Sequence, residues 1–180
     1  MSALNDNYTI THDWKGSKYA GITLDWDYDG LEVHPSVPGY IGAEVICFVH
    51  KIPTKRQDSP YPRDLVKYGK KTQYAKASYD TPLLENKIKK YTQSVNSTLL
   101  YIGRSVNWTL IVPLSAIASQ QAKPNTEKMK RTKQILDYVS TQDEAILTYT
   151  ASNMLLAAHS DAGYLNETNS KSRAGGKFLL

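Results

Sequence analysis

Cys47 is the only cysteine in 180 residues, so the chain can form no internal disulfide and no zinc site built on cysteine pairs. Long apolar runs are missing too. No stretch approaches the ~18 apolar residues of a membrane span, and the opening MSALNDNYTITHDWKG lacks the apolar centre of a secretion signal. The expectation is an intracellular chain, cytoplasmic or nuclear, with no membrane partner. There is no glycine-rich phosphate loop ending in Lys-Ser/Thr, no paired-histidine metal signature and no Gly-x-Ser-x-Gly elbow. Phenylalanine is scarce, two against thirteen tyrosines. Tyrosine joins stacking area to a polar tip, which suits half-buried strands and wet interfaces alike.

What remains is ordinary globular material, 41% hydrophobic and 22% charged, which argues for one folded domain or two small ones rather than disorder. The net charge of +5 is unevenly spread. Eight basic residues lie between Lys51 and Lys76 against Asp58 and Asp64, and KPNTEKMKRTK covers 123–133. Such clusters concentrate anions and favour a phosphate backbone, or else form a solvated face. The residues that would meet phosphates are Lys51, Lys55, Arg56, Arg63, Lys67, Lys70, Lys71, Lys128, Lys130, Arg131 and Lys133.

The stretch GITLDWDYDGLEVH places Asp25, Asp27 and Asp29 at alternate positions before Gly30, as a calcium-binding EF-hand loop begins. The twelfth position of such a loop would be Ser36, not an acid. From Ala20 to Tyr28 the even positions are Ala20, Ile22, Leu24, Trp26 and Tyr28, a period of two that predicts a strand with one buried face. Asp29-Gly30 then predicts a two-residue turn into a second strand, and Asp25 and Asp27 read as a solvated face or a carboxylate pair about 7 Å apart. YIGAEVICFVHKI has helical spacing, with Cys47 expected inside as a small hydrophobe and His50 outside. The proline-rich segment from Pro53 to Pro82 predicts an exposed loop.

Three amphipathic helices follow. The first has Thr81 as N-cap, Pro82 at its first position and Gly103 at its end, with Leu84, Ile88, Tyr91, Val95, Leu99 and Ile102 on one face. The second runs from about Asn107 to Gln121, with Pro113 either in its first turn or kinking it. The third starts at Asn125 or Thr126, its lysines outward. AILTY (145–149), MLLAAHSDAGYL (154–165) and AGGKFLL (174–180) predict strands. Within them Asp161, with His159 on the same face, is either a strand-centre carboxylate able to hold Mg²⁺ if other acids converge or an acid at a strand end.

YTITHDWKGSKYAGITLDWDYDGLEVHPSVPGYI resembles the segment after the polymerase catalytic motif in the Pol polyproteins of LTR retrotransposons. STLLYIGRSVNWTLIVPLSAIASQQAKP, LDYVSTQDEAILTY and HSDAGYLNETNSKSRAGGKFLL resemble its continuation, through reverse transcriptase thumb and connection into a copia-type RNase H domain. The likeness implies an α+β fold in three parts. Residues 1–35 would end the palm with a primer-grip-like hairpin carrying Gly21, Ile22, Leu24 and Trp26, and residues 36–145 would form a basic loop and helices of thumb and connection type. Residues 146–180 would open an incomplete RNase H-like sheet, with Asp161 as the first of its Mg²⁺-binding carboxylates. The other carboxylates of both catalytic sites are not in the chain, and Asn107 and Pro113 depart from the family pattern. The resemblance implies a fragment that binds template–primer or RNA–DNA hybrid alongside the rest of a Pol polyprotein, holds no metal tightly and catalyses nothing alone. The competing expectation is a domesticated or incidental non-enzymatic protein-interaction domain.

Overall fold

The computed structural model describes residues 12–62, 82–167 and 171–179. Strands β1 (Lys18–Tyr19), β2 (Ile22–Asp27), β3 (Glu32–Ser36) and β4 (Tyr149–Thr150) form one antiparallel sheet in that order. The tightest turn is not at Asp29-Gly30. It is Ala20-Gly21, between the paired Tyr19 and Ile22, where both residues take positive φ (49° and 86°), the geometry that matches strand twist in a two-residue hairpin. Ala20 is therefore a turn residue rather than the start of an inward face. Gly21 is needed twice over, since a Cβ there would also stand 2.8 Å from the Tyr101 hydroxyl. That hydroxyl donates to the Ala20 carbonyl at 2.9 Å and pins the turn to the helices.

Between β2 and β3 the chain makes a four-residue loop, 28–31, closed by the pair Asp27–Glu32. Positive φ falls on Leu31 (54°), and Gly30 serves a different need. Asp27 folds its carboxylate over the loop, accepting from Gly30 N at 2.8 Å, and a Cβ at position 30 would lie 2.5 Å from the other carboxylate oxygen. Asp27 is thus a turn-closing residue, while Asp25 is exposed opposite His34.

The expected buried face of β2 is covered only in part. Ile22 and Leu24 are half-buried, Ile22 against the helical core, but Trp26 is 43% and Tyr28 75% exposed. Trp26 instead stacks on Tyr28 (centroids 6.0 Å, planes 10° apart) and donates from Nε1 to the Gly16 carbonyl at 2.8 Å. Residues 145–149 do not form one strand. The short β4 joins the N-terminal sheet through Val33–Tyr149, helped by a bridge Ser36–Ile146 and a 3.0 Å His34–Thr148 hydrogen bond.

Helix α1 (Tyr40–Cys47) turns Val45 inward, which leaves Cys47 on its opposite side exposed, while Phe48, the C-cap, packs inward, edge-on to Tyr91 at 5.8 Å. Helix α2 (Asn86–Ser105) starts later than Pro82 because residues 82–84 pair with 124–126: Leu84 N donates to Pro124 O and Thr126 N to Pro82 O, both at 3.1 Å. Thr81 lies outside the described residues. Nor does Gly103 stop the helix, which runs on to Ser105. It is buried in the last turn, where a Cβ would meet Leu110 and Leu114 at 3.4 Å, so its hydrogen lets the next segment approach closely.

That segment is a 3-10 turn (Trp108–Leu110) followed by α3 (Ile111–Ala118), with Pro113 in its first turn, where the missing N–H costs no helix bond. Asn125 caps α4 (Thr126–Thr141) by accepting from Lys128 N at 3.0 Å. The core is Val95, Leu99, Ile102, Leu110, Leu114, Ile117, Ile135, Leu136 and Val139 from these helices, with Tyr40, Tyr91 and Tyr138 at its margin. Burial raises the phenol pKa of both Tyr40 and Tyr91, so each is a neutral donor at physiological pH. Strands β5 (Ala157–Glu167) and β6 (Lys171–Leu179) form a separate antiparallel hairpin. The fold is mixed α+β, and among the described residues no helix is long and apolar enough to cross a membrane.

Three measurements check this account. Leu114→Ala, at 1% exposure, is expected to cost about 2–5 kcal/mol in chemical denaturation, against about 0.5 kcal/mol or less for Ile46→Ala at 78% exposure. Gly21→Ala should cost more than about 1 kcal/mol, since it combines positive φ with the Tyr101 contact. Finally, the Ser17 hydroxyl, joined by the backbone N–H groups of Lys18, Ser17 and Lys15, holds the Asp13 carboxyl below its ordinary 3.8. Stabilisation from a depressed carboxyl is complete above the ordinary value and lost as pH falls through the folded-state one. Amide resonances of Ser17 and Lys18 should therefore shift below pH 3.8, ahead of global unfolding.

Candidate nucleic-acid interface

The loop after α1 is anchored rather than free. From Arg56 to Tyr61 it forms a strap along α4, running toward the start of that helix. Arg56 donates to Gln142 Oε1 (2.6 Å), Gln57 N to Thr141 Oγ1 (3.0 Å), Gln142 Nε2 to Gln57 O (2.6 Å) and Gln134 Nε2 to Ser59 O (3.1 Å). At the far end Arg131 stacks on the Tyr61 ring (4.5 Å), donates to the Tyr61 hydroxyl and pairs with Glu127 one turn back. Partial burial lowers the Arg131 pKa, but a guanidinium stays charged throughout the working pH range.

This packing sorts the predicted phosphate contacts. Lys51, Lys55, Lys130 and Lys133 are exposed. Arg56, although exposed, is tied to Gln142 and lies 3.7 Å from Asp58, and Arg131 is occupied by the strap. Lys128 overturns the expectation of outward lysines on this helix. It is 6% exposed because it shares the inward stripe with Thr132, Ile135 and Val139, burying its aliphatic stem. Arg63, Lys67, Lys70 and Lys71 lie outside the described residues.

Lys130 and Lys133 sit in the first half of α4, and Lys55 directly precedes Arg56, which the strap ties to Gln142 just past the end of that helix. Lys87 and Lys90, in the first turns of α2, are exposed too and are brought near the start of α4 by the pairing of 82–84 with 124–126. Their helical spacing from buried Val95 and Leu99 marks them as outward, but a basic-run argument passes over them.

The acid singled out from the sequence as a metal ligand sits elsewhere. Asp161 is exposed on β5 opposite Gly175, and the register puts Lys177 and Arg173 diagonal to it on the same face. Among the described residues no three His, Cys, Asp or Glu side chains gather. One carboxylate flanked by two cations does not fit a Mg²⁺ site, so no metal-assisted step follows from it. Of the primer-grip-like residues, Gly21 forms the exposed turn pinned by Tyr101, Ile22 packs on the helical core, Leu24 is half-buried and Trp26 is open.

Two features escape sequence reading. His50 is 6% exposed, with Nε2 2.9 Å from Asp137 Oδ1 across to α4, an approach too bent for a good hydrogen bond. Cys47 and His50 therefore face opposite ways, the reverse of the expected burial. A groove of about 330 Å³ also opens between α1 and the ends of α2 and α4, walled by Ile41, Ile46, Ile52, Val106 and Val139.

Replacing Arg131 by Lys keeps the charge but loses the planar stack on Tyr61. Amide exchange at Gln57 and Tyr61 should quicken in that variant while exchange in the α2–α3 core stays unchanged. Compared with protein families, curated proteins and solved structures, the chain matches none.

Proposed function

We propose that this chain holds nucleic-acid duplex, RNA–DNA hybrid or template–primer, through its phosphates, as a non-catalytic piece of a retrotransposon reverse transcriptase/RNase H polyprotein. The observation that carries the reading is the pair of exposed lysines Lys130 and Lys133, presented on a helix, α4, whose other side is locked into the core, with exposed Lys51 and Lys55 preceding the strap that runs along that helix. A pair of this kind on a rigid support reads charge spacing and not sequence. Asp25, Asp27 and Glu32 lie on a different element, while Asp58 in the strap and Asp143 and Glu144 just past α4 offset part of the charge. The order of segments that resembles palm hairpin, thumb and connection supports the same reading, and Pol residues beyond this chain would supply chemistry.

Neutralising four phosphates gives a slope of log K against log salt of about −3.6 from these lysines. Lys130→Gln with Lys133→Gln should reduce the magnitude by about two for hybrids of any sequence. A slope left unaltered by the pair removes these lysines from the interface. The groove favours a second reading, a protein-binding surface, because Ile46 and Ile52 at its mouth are 78% and 54% exposed. Salt-insensitive binding to a protein partner, lost in Ile46→Asp, would favour that reading.

A further inference from the structure

The β5–β6 hairpin carries an unusual contact with the rest of the chain. Lys177 on β6 places its ammonium 5.3 Å above the ring of Trp108, in the 3-10 turn that leads into α3. Trp108 is 40% exposed. Apart from half-buried Gly163 and Arg173, every residue of the hairpin whose exposure is described lies open to solvent. An exposed two-stranded ribbon gains little from burial, so polar and ring contacts decide where it rests.

Its tether is short and locally bonded. Ala151 N still donates to Leu31 O of the N-terminal sheet at 2.9 Å. Beyond it, Met154 N bonds to Ser152 Oγ (3.1 Å) and Leu155 N to Asn153 Oδ1 (3.2 Å), contacts within the tether itself, and Met154 holds positive φ (59°). The exposed Met154, Leu155 and Leu156 follow, up to the start of β5. Nothing in these bonds dictates the direction in which the ribbon leaves.

The ribbon also has two unlike faces. Cross-strand pairing puts His159 beside Lys177 and Gly163 beside Arg173, with Asp161 between, while Ala158–Phe178, Ser160–Gly176 and Ala162–Ala174 form the reverse face. Lys177 turns the charged face toward Trp108 and leaves Phe178, 73% exposed, on the other.

We infer that the β5–β6 hairpin is a latched arm, held on the helical body by the Lys177–Trp108 cation–π contact and released when that contact is broken. Loss of an exposed contact of this kind shifts a two-state balance by about two- to fivefold, so a modest perturbation moves the arm. The released position uncovers the Trp108 ring and frees the charged face with Asp161.

The test uses the full chain with Trp14→Phe and Trp26→Phe, leaving Trp108 as the only tryptophan. Lys177→Met, which keeps the stem and removes the charge, should raise acrylamide quenching of Trp108, with the latched fraction falling about two- to fivefold. Lys177→Arg should restore the parent value. A second measurement needs neither phenylalanine replacement: Trp108→Leu in the otherwise unaltered chain should leave amide exchange in α2 and α4 unchanged and alter the solvent exposure of Lys177 to acetylation. Unchanged quenching in Lys177→Met, or unchanged Lys177 acetylation in Trp108→Leu, would overturn the latch.

Discussion

Closure of α3 against α2 is the constraint on which the rest of the molecule hangs. Gly103 lies where a side chain would push Leu110 and Leu114 away, and both leucines are buried to 1% exposure or less. With that approach made, α4 completes the core through Ile135 and Leu136. Packing at this density leaves little room to shift one helix without shifting its neighbours. The sheet attaches to the resulting body through Ile22 and the Tyr101–Ala20 hydrogen bond, and the strap through a series of polar contacts from Arg56–Gln142 to Tyr61–Arg131.

The same packing governs the electrostatics. Once Ile135, Leu136 and Val139 turn inward, the pitch of the helix decides which lysines of KPNTEKMKRTK can meet an anion: Lys128 goes inside, and Lys130 and Lys133 go out. The strap consumes Arg56 and Arg131 in holding itself down.

Much of this was legible in the residues, and the failures have physical causes. The hairpin after Gly21, the helices around Val95 and Ile135, and the start of the last helix at Asn125 or Thr126 follow from the hydrophobic period. Gly30 and Gly103 misled because each is needed for close approach, to Asp27 and to Leu110, rather than for a turn or a stop. Cys47 is exposed because it lies two positions, and so nearly half a turn round the helix, from buried Val45, whereas His50 lies past the end of α1, where a helical count no longer points the right way. Lys128 was placed outside on chemical type, although its spacing to Thr132 and Ile135 marked it as inward. The strap, the pairing of 82–84 with 124–126 and the docking of β4 on β3 join distant parts of the chain, and no local pattern announces them.

Lysine footprinting tests the central claim most directly: acetylate the free chain and the chain saturated with a short RNA–DNA hybrid, and compare protection residue by residue. The account requires protection at Lys51, Lys55, Lys130 and Lys133 together, with Lys15 and Lys18 at the sheet edge as reactive as before. Protection confined to the sheet edge, or no protection at saturating hybrid and low salt, would contradict it.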